Sequence, residues 1–179
     1  MFSILIPTYN NLDYLKTCID SIKKNSYLNY QIIVHINEGT DGSLEYVKGL
    51  KIDFTFSKVN VGMPKALNLA SKKAKYEYII ISHDDFYYCP GWDKAFAEEI
   101  NLLNHTNFYL SGTMVGEGQV KFDAGNNIEN FNEKKLLNNL ENIKTFNFQG
   151  TTKCPGLVHK DLWNKVGGWS EEFSPTGGD

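Results

Sequence analysis

Asp84 and Asp85 stand side by side just past an apolar run, Tyr78 to Ile81, in the stretch YEYIIISHDDFYYCP that covers residues 76 to 90. Adjacent carboxylates can hold a divalent cation, because magnesium and manganese are commonly bound by one or two acids together with the phosphates of a ligand. They can equally cap the next helix or lie in a solvated turn. His83, immediately before them, is either a further ligand or a solvent-facing turn residue. All 18 basic residues are lysines. Any phosphate group would therefore be held by lysine, backbone N–H, a helix N-terminus or a metal, not by a bidentate guanidinium.

What must position these acids is legible in the alternation of patterns along the chain. FSILIP reads as a buried strand, after which Leu12, Leu15, Ile19 and Ile22 recur at helical spacing behind Asn10 and Asn11, both suitable N-caps. YQIIVHI is a second strand, followed by the loop NEGTDGS and a short helix, LEYVKGL. FTFSKV is a third, and Pro64, at a first helical position, opens PKALNLASKKA. YEYIIIS is a fourth, and Trp92, Ala95, Phe96, Ile100 and Leu103 mark the helix behind it. Four strand-helix units in succession predict an α/β fold, a Rossmann-like, mainly parallel sheet with helices on both faces.

Ligands of such open sheets gather beyond the carboxyl ends of the strands. The acid pair lies there. So do PTYNN after the first strand, INEGTDGS after the second and VNVGMPKALN after the third, each rich in small, amide or hydroxyl side chains. Beyond residue 104 the alternation fades. FYLSGTMV predicts another strand, GEGQVKFDAGNNIENFNEKKLLNNLEN an irregular Gly- and Asn-rich segment with one short helix, and GLVHKDLWNKVGGW a strand and a helix ending at Gly167.

Composition narrows the classes. At 179 residues and 41% hydrophobic, the chain suits one domain, 1–179. A net charge of -3, with no basic cluster interleaved with aromatics, argues against a nucleic-acid partner. Cys18, Cys89 and Cys154 are far apart and lack CxxC spacing, which suits reduced thiols. No apolar run approaches the roughly 18 residues of a membrane span and no basic segment opens the chain, so it reads as soluble, with no transmembrane segment.

In order, SILIPTYNNLDYLKTCIDSI, VHINEGTDGS, NVGMPKALNLA, IIISHDDFYYCPGW and VGGWSEEFSPTGGD resemble the successive motifs of the family 2 glycosyltransferases. The resemblance implies the GT-A fold and an inverting, metal-assisted transfer from a nucleotide-diphosphate sugar, a UDP-sugar in preference, to a hydroxyl of a glycan or other acceptor. It implies a nucleotide-binding half, 1–104, and an acceptor-side half, 105–179. By position, Pro7, Thr8 and Tyr9 match the base and ribose contacts, although Tyr9 can also be an ordinary half-buried tyrosine. Asn37 replaces the acid that accepts the uracil N–H, with Glu38 beside it. Asn60 and Gly62 match the donor loop. Leu67 stands where an Arg is usual, which leaves diphosphate charge to the metal and to Lys65, itself equally readable as a surface lysine. Ser82 replaces the leading acid of the metal motif, Asp84 matches the acid nearest the donor sugar, and Asp85 the acid that coordinates Mn2+ or Mg2+.

Asp179 matches the base that deprotonates the acceptor hydroxyl, with Glu171 and Glu172 as fallback candidates. The family normally continues past this point, so the resemblance implies a C-terminally truncated chain. Trp169 is a candidate to line the acceptor pocket, while Trp163 suits core packing. The implied location is cytoplasmic, free or peripheral to the inner face of the membrane. Two classes stay open on the sequence: the transferase, and a non-catalytic nucleotide-sugar-binding or scaffold protein with a degenerate site.

Overall fold

In the computed structural model, which describes residues 1–116, 120–143 and 154–172, every strand and helix named above forms. The order is β1 (Phe2–Tyr9), α1 (Leu12–Asn25), β2 (Tyr30–Asn37), α2 (Ser43–Gly49), β3 (Asp53–Ser57), α3 (Met63–Ser71), β4 (Tyr78–Ile81), α4 (Trp92–Leu103), β5 (Tyr109–Ser111), β6 (Val115–Gly116), β7 (Val120–Lys121), α5 (Glu133–Asn139), β8 (Gly156–His159) and α6 (Lys160–Val166). Among the described residues six strands form one sheet in the order β3-β2-β1-β4-β8-β5, and β6 pairs only with β7. Neighbours among β1 to β4 are parallel, whereas β8 runs antiparallel to both β4 and β5. The sheet is thus mainly parallel, as the alternation predicts.

Strand alternation sends successive side chains to opposite faces and so builds two core layers. Ile4, Ile6, Ile32, Val34, Ile36 and Ile80 pack against α1, α2 and α4 through Leu15, Ile19, Ile22, Val47 and Phe96. Leu5, Ile33, Ile79, Ile81 and Val158 pack on the other face against Leu67 and Ala70 of α3 and Trp163 of α6. Helices on both faces explain why β1, β2 and β4 read as continuous apolar runs. Each such side chain, fully buried, contributes about 1.5–3 kcal/mol. Trp163 is core, as its apolar helix predicts.

Three local details depart from the sequence reading. Neither Asn10 nor Asn11 caps α1 with its side chain; Asp41, from the loop before α2, accepts the Leu12 amide at 2.7 Å instead. In α4 Asp93 is buried beside Phe96, at 1% exposure, while Ala95 faces out. The Asp93 carboxylate accepts the amides of Tyr27 and Leu28, both at 2.6 Å, and that of Lys94 at 2.9 Å, which is why an acid tolerates burial there. The strand expected over FYLSGTMV stops at Ser111. A side chain at Gly112 would collide with Pro155, 2.8 Å away, and the Gly112 amide turns to donate to the Pro155 carbonyl. Among the described residues no helix is long and apolar enough to cross a membrane.

Candidate functional site

The strand order reverses at β1: β2 and β3 lie on one side of it and β4 on the other. The crevice at that reversal, outside the carboxyl ends, is where an open α/β sheet takes its ligand. Asp84 sits at this place. Its carboxylate accepts the Thr8 hydroxyl at 2.6 Å, a bond that joins the end of β1 to the loop after β4. Thr8 is 3% exposed, so its hydroxyl serves Asp84, while Tyr9, at 49%, presents its ring to the outside. Burial raises the pKa of Asp84; hydrogen bonds from Thr8 and Asn11 oppose this, and the charge of Asp85 adds to it. A carboxylate in that position is stabilised by a cation.

Asp85 is exposed and accepts no hydrogen bond from the described residues, and no lysine among them pairs with either acid. No group of three acids, histidines or cysteines suited to a metal occurs among the described residues. The chain thus offers two carboxylates, the number that suffices for Mg2+ or Mn2+ when phosphates and water complete the shell, and the donor set fits such an ion. His83 lies over the ring of Phe86 at 5.2 Å between centroids.

The end of β2 and the loop before α3 form one polar unit. Asn37, 3% exposed, donates to the Thr8 carbonyl at 3.3 Å and accepts the Val61 amide at 2.9 Å. Its side chain ties the ends of β1 and β2 to the loop before α3. Glu38 adopts a left-handed backbone, φ 61°, and its carboxylate accepts the Asn60 amide at 3.3 Å, while the Asn60 side chain accepts the Gly62 amide at 2.9 Å. Pro7, partly exposed, precedes Thr8 in β1, and Lys65 projects into solvent from the first turn of α3. The structure thus gathers Pro7, Thr8, Tyr9, Asn37, Glu38, Asn60, Gly62, Asp84 and Asp85 at one edge of the sheet. Asp179 lies outside the described residues.

Trp169 is held by α3. Asn68, in the middle of α3, accepts the Trp169 amide and donates to its carbonyl, each at 2.9 Å, and also donates to Glu171 at 2.9 Å. This clamp, 101 residues apart in sequence, gave no signal: Asn68 lies within a helical apolar pattern and Trp169 within a turn. Nor did the sequence single out Tyr88, which is 4% exposed and whose hydroxyl donates to Ser82 beneath the acid pair at 2.7 Å.

The chain resembles known proteins in sequence and in fold. An uncharacterized glycosyltransferase of Rickettsia typhi is 39% identical over 108 residues, 58% of this chain and 32% of that protein. The uncharacterized glycosyltransferase YwdF of Bacillus subtilis is 30% identical over 106 residues, 57% of this chain and 39% of its own length. The chain spans well under half the length of these curated relatives. The structure of S. aureus TarS 1-349 in complex with UDP superimposes with a TM-score of 0.69 at 19% identity, covering 96% of this chain and 50% of that one. The mannosyltransferase PcManGT from Pyrobaculum calidifontis, in complex with GDP-Man and Mn2+, gives 0.66 at 17%, covering 99% and 49%. These likenesses establish the expected GT-A fold. The family described as Glycosyl transferase family 2 matches residues 3–157. The chain belongs to that family.

Proposed function

We propose that this chain is the donor-binding body of an inverting glycosyltransferase that moves a sugar from a nucleoside diphosphate, UDP in preference, to a hydroxyl of a glycan or other acceptor. The observation that carries the proposal is the Thr8 to Asp84 hydrogen bond at the strand-order reversal, which fixes a partly buried acid beside the exposed Asp85. Tyr9 stacks on or bonds to the nucleoside, the Asn37, Glu38 and Asn60 unit sets the shape of the base pocket, and Lys65 meets the diphosphate. With Asn37 engaged on both sides by the backbone, base selection rests on the loop it holds and on the exposed Tyr9.

A divalent ion held by Asp85, with Asp84 on the donor-sugar side, would neutralise the departing diphosphate. In the transfer itself the acceptor oxygen bonds the anomeric carbon from the face opposite the diphosphate. The bond from that carbon to the phosphate oxygen breaks, its electron pair leaves with the nucleoside diphosphate, and the hydroxyl proton passes to a carboxylate base, for which Asp179 is the candidate. Residues 1–104 form the nucleotide half and 105–179 the acceptor side of one domain, with Trp169 at the acceptor.

Calorimetric titration with UDP, GDP, CDP and dTDP, each with manganese and again with chelator, tests this reading. One nucleotide should bind tightly only with metal, and Asp85→Ala should weaken that binding at least tenfold. The thermal midpoint should barely move, because an exposed loop acid adds little to the core. Binding of none of the four would sink the proposal. Metal-dependent binding without release of nucleoside diphosphate on addition of acceptor would favour a binding protein instead.

A further inference from the structure

The loop that carries Asp84 and Asp85 is closed at its base by a hydroxyl bridge. Ser82 leaves β4 fully buried, its amide still donating to the Leu5 carbonyl at 3.0 Å as an extension of the sheet. Six residues on, the Tyr88 hydroxyl donates to the Ser82 hydroxyl at 2.7 Å, and Ser82 donates in turn to the His83 carbonyl at 3.2 Å. The thiol of Cys18, also fully buried, donates to the same carbonyl at 3.4 Å. Tyr88 is anchored through its backbone as well: Ser21 accepts its amide at 2.9 Å and Asn25 donates to its carbonyl at 2.6 Å. The ring packs edge-on against Trp92 at 4.8 Å between centroids. Both ends of the loop are therefore pinned to one another and to α1, and the acid pair is borne on the arch between them.

We propose that Ser82 and Tyr88 are positioning residues for the acid pair: their hydroxyl bridge sets the arch so that Asp84 and Asp85 present their carboxylates together. The inference rests on the donor-site reading above. It also gives the serine at this position a reason. A carboxylate at residue 82 would place a charge in a fully buried site facing the His83 carbonyl, whereas a hydroxyl both accepts from Tyr88 and donates onward. A network of buried hydroxyls in which every member is satisfied holds one geometry, because each alternative leaves a buried polar atom unpaired.

Tyr88→Phe removes the bridge and leaves the ring against Trp92; Ser82→Ala removes it from the other end. Each is titrated with the nucleotide that the wild type binds, with Mn2+ and with chelator, and amide hydrogen exchange is followed over residues 83–87 without ligand. Each variant should lower the Mn2+-dependent nucleotide affinity about tenfold and keep the metal-free affinity within twofold. Exchange in the arch should quicken at least tenfold, while amides of β1 and β4 keep their protection. The double variant should be no worse than the worse single one. Unchanged Mn2+-dependent affinity overturns the proposal, and so does a parallel fall with and without metal accompanied by faster exchange throughout the sheet, which would mark the bridge as merely structural. A wild type that binds no nucleotide would count against the donor-site reading; the bridge would then stand or fall on exchange in the arch alone.

Discussion

His35 is fully buried on β2, its Nδ1 2.7 Å from the Thr55 hydroxyl and its Nε2 without a hydrogen-bond partner among the described residues. Burial pushes its pKa down to about 4 from the ordinary 6.5. Between those values the unfolded chain takes up a proton that the folded chain refuses. Stability from this group is therefore intact above about pH 6.5 and is lost as pH falls toward 4, at up to about 1.4 kcal/mol per pH unit. His35→Gln cannot take that proton. Urea unfolding at pH 7, 6, 5 and 4 should show the wild type losing stability faster than the variant across this window, and parallel curves would refute the assignment. The Thr8 hydroxyl makes a similar single-residue argument. Thr8→Val keeps the shape and removes the donor to a partly buried acid, so it should destabilise by about 1.5–3 kcal/mol in the same assay at pH 7.

At the scale of elements, α3 joins the two sides of the proposed site. Its first turn follows the Asn60 to Gly62 loop, and its middle holds the Gly167–Trp169 turn through Asn68. Gly168 makes that contact possible: it has φ +81°, and a Cβ there would lie 2.4 Å from the Asn68 side-chain oxygen. Gly168→Ala should therefore destabilise by about 1–3 kcal/mol, from the left-handed backbone and the displaced amide together. Asn68→Ala removes the three bonds. Because both changes break one clamp, the double variant should be less destabilised than the sum of the singles, and exchange at the Trp169 amide should quicken in each. Additive losses would place the two residues in separate roles. The elements were legible in the sequence because each carries its own period and punctuation, as with the Pro64 start of α3 and the Gly167 end of α6. The edge that gathers the site was legible too, since a parallel sheet sends all its strand ends one way. Asn68, Tyr88, Asp93 and Asp41 were not. Each acts on a group brought near only by the completed fold, and no local pattern distinguishes an amide or hydroxyl that will find such a partner.

At the scale of the whole molecule, one sheet supplies both core layers: Ile4 and Ile6 of β1 enter one, Leu5 between them the other. Neither layer can lose its strands while the other keeps them, so the two should melt in one transition. With Trp169, which packs against the second layer, replaced by Phe throughout, two tryptophans report on the layers separately, Trp92 packed in the first and Trp163 buried in the second. In Trp92→Phe and, separately, Trp163→Phe, fluorescence and circular dichroism should give coincident urea midpoints within each variant. Ile80→Ala, a cavity in the first layer, should lower stability by about 2–5 kcal/mol as seen from Trp163 on the far side of the sheet. The proposed nucleotide site draws on ends of the shared strands, and Thr8, Asn37 and Asp84 belong to neither layer alone. Nucleotide with Mn2+ at 100 times its dissociation constant should accordingly raise stability by about 2.7 kcal/mol at both reporters alike. A rise seen by Trp92 and not by Trp163 would mean that the layers unfold independently and that the ligand bears on only one of them.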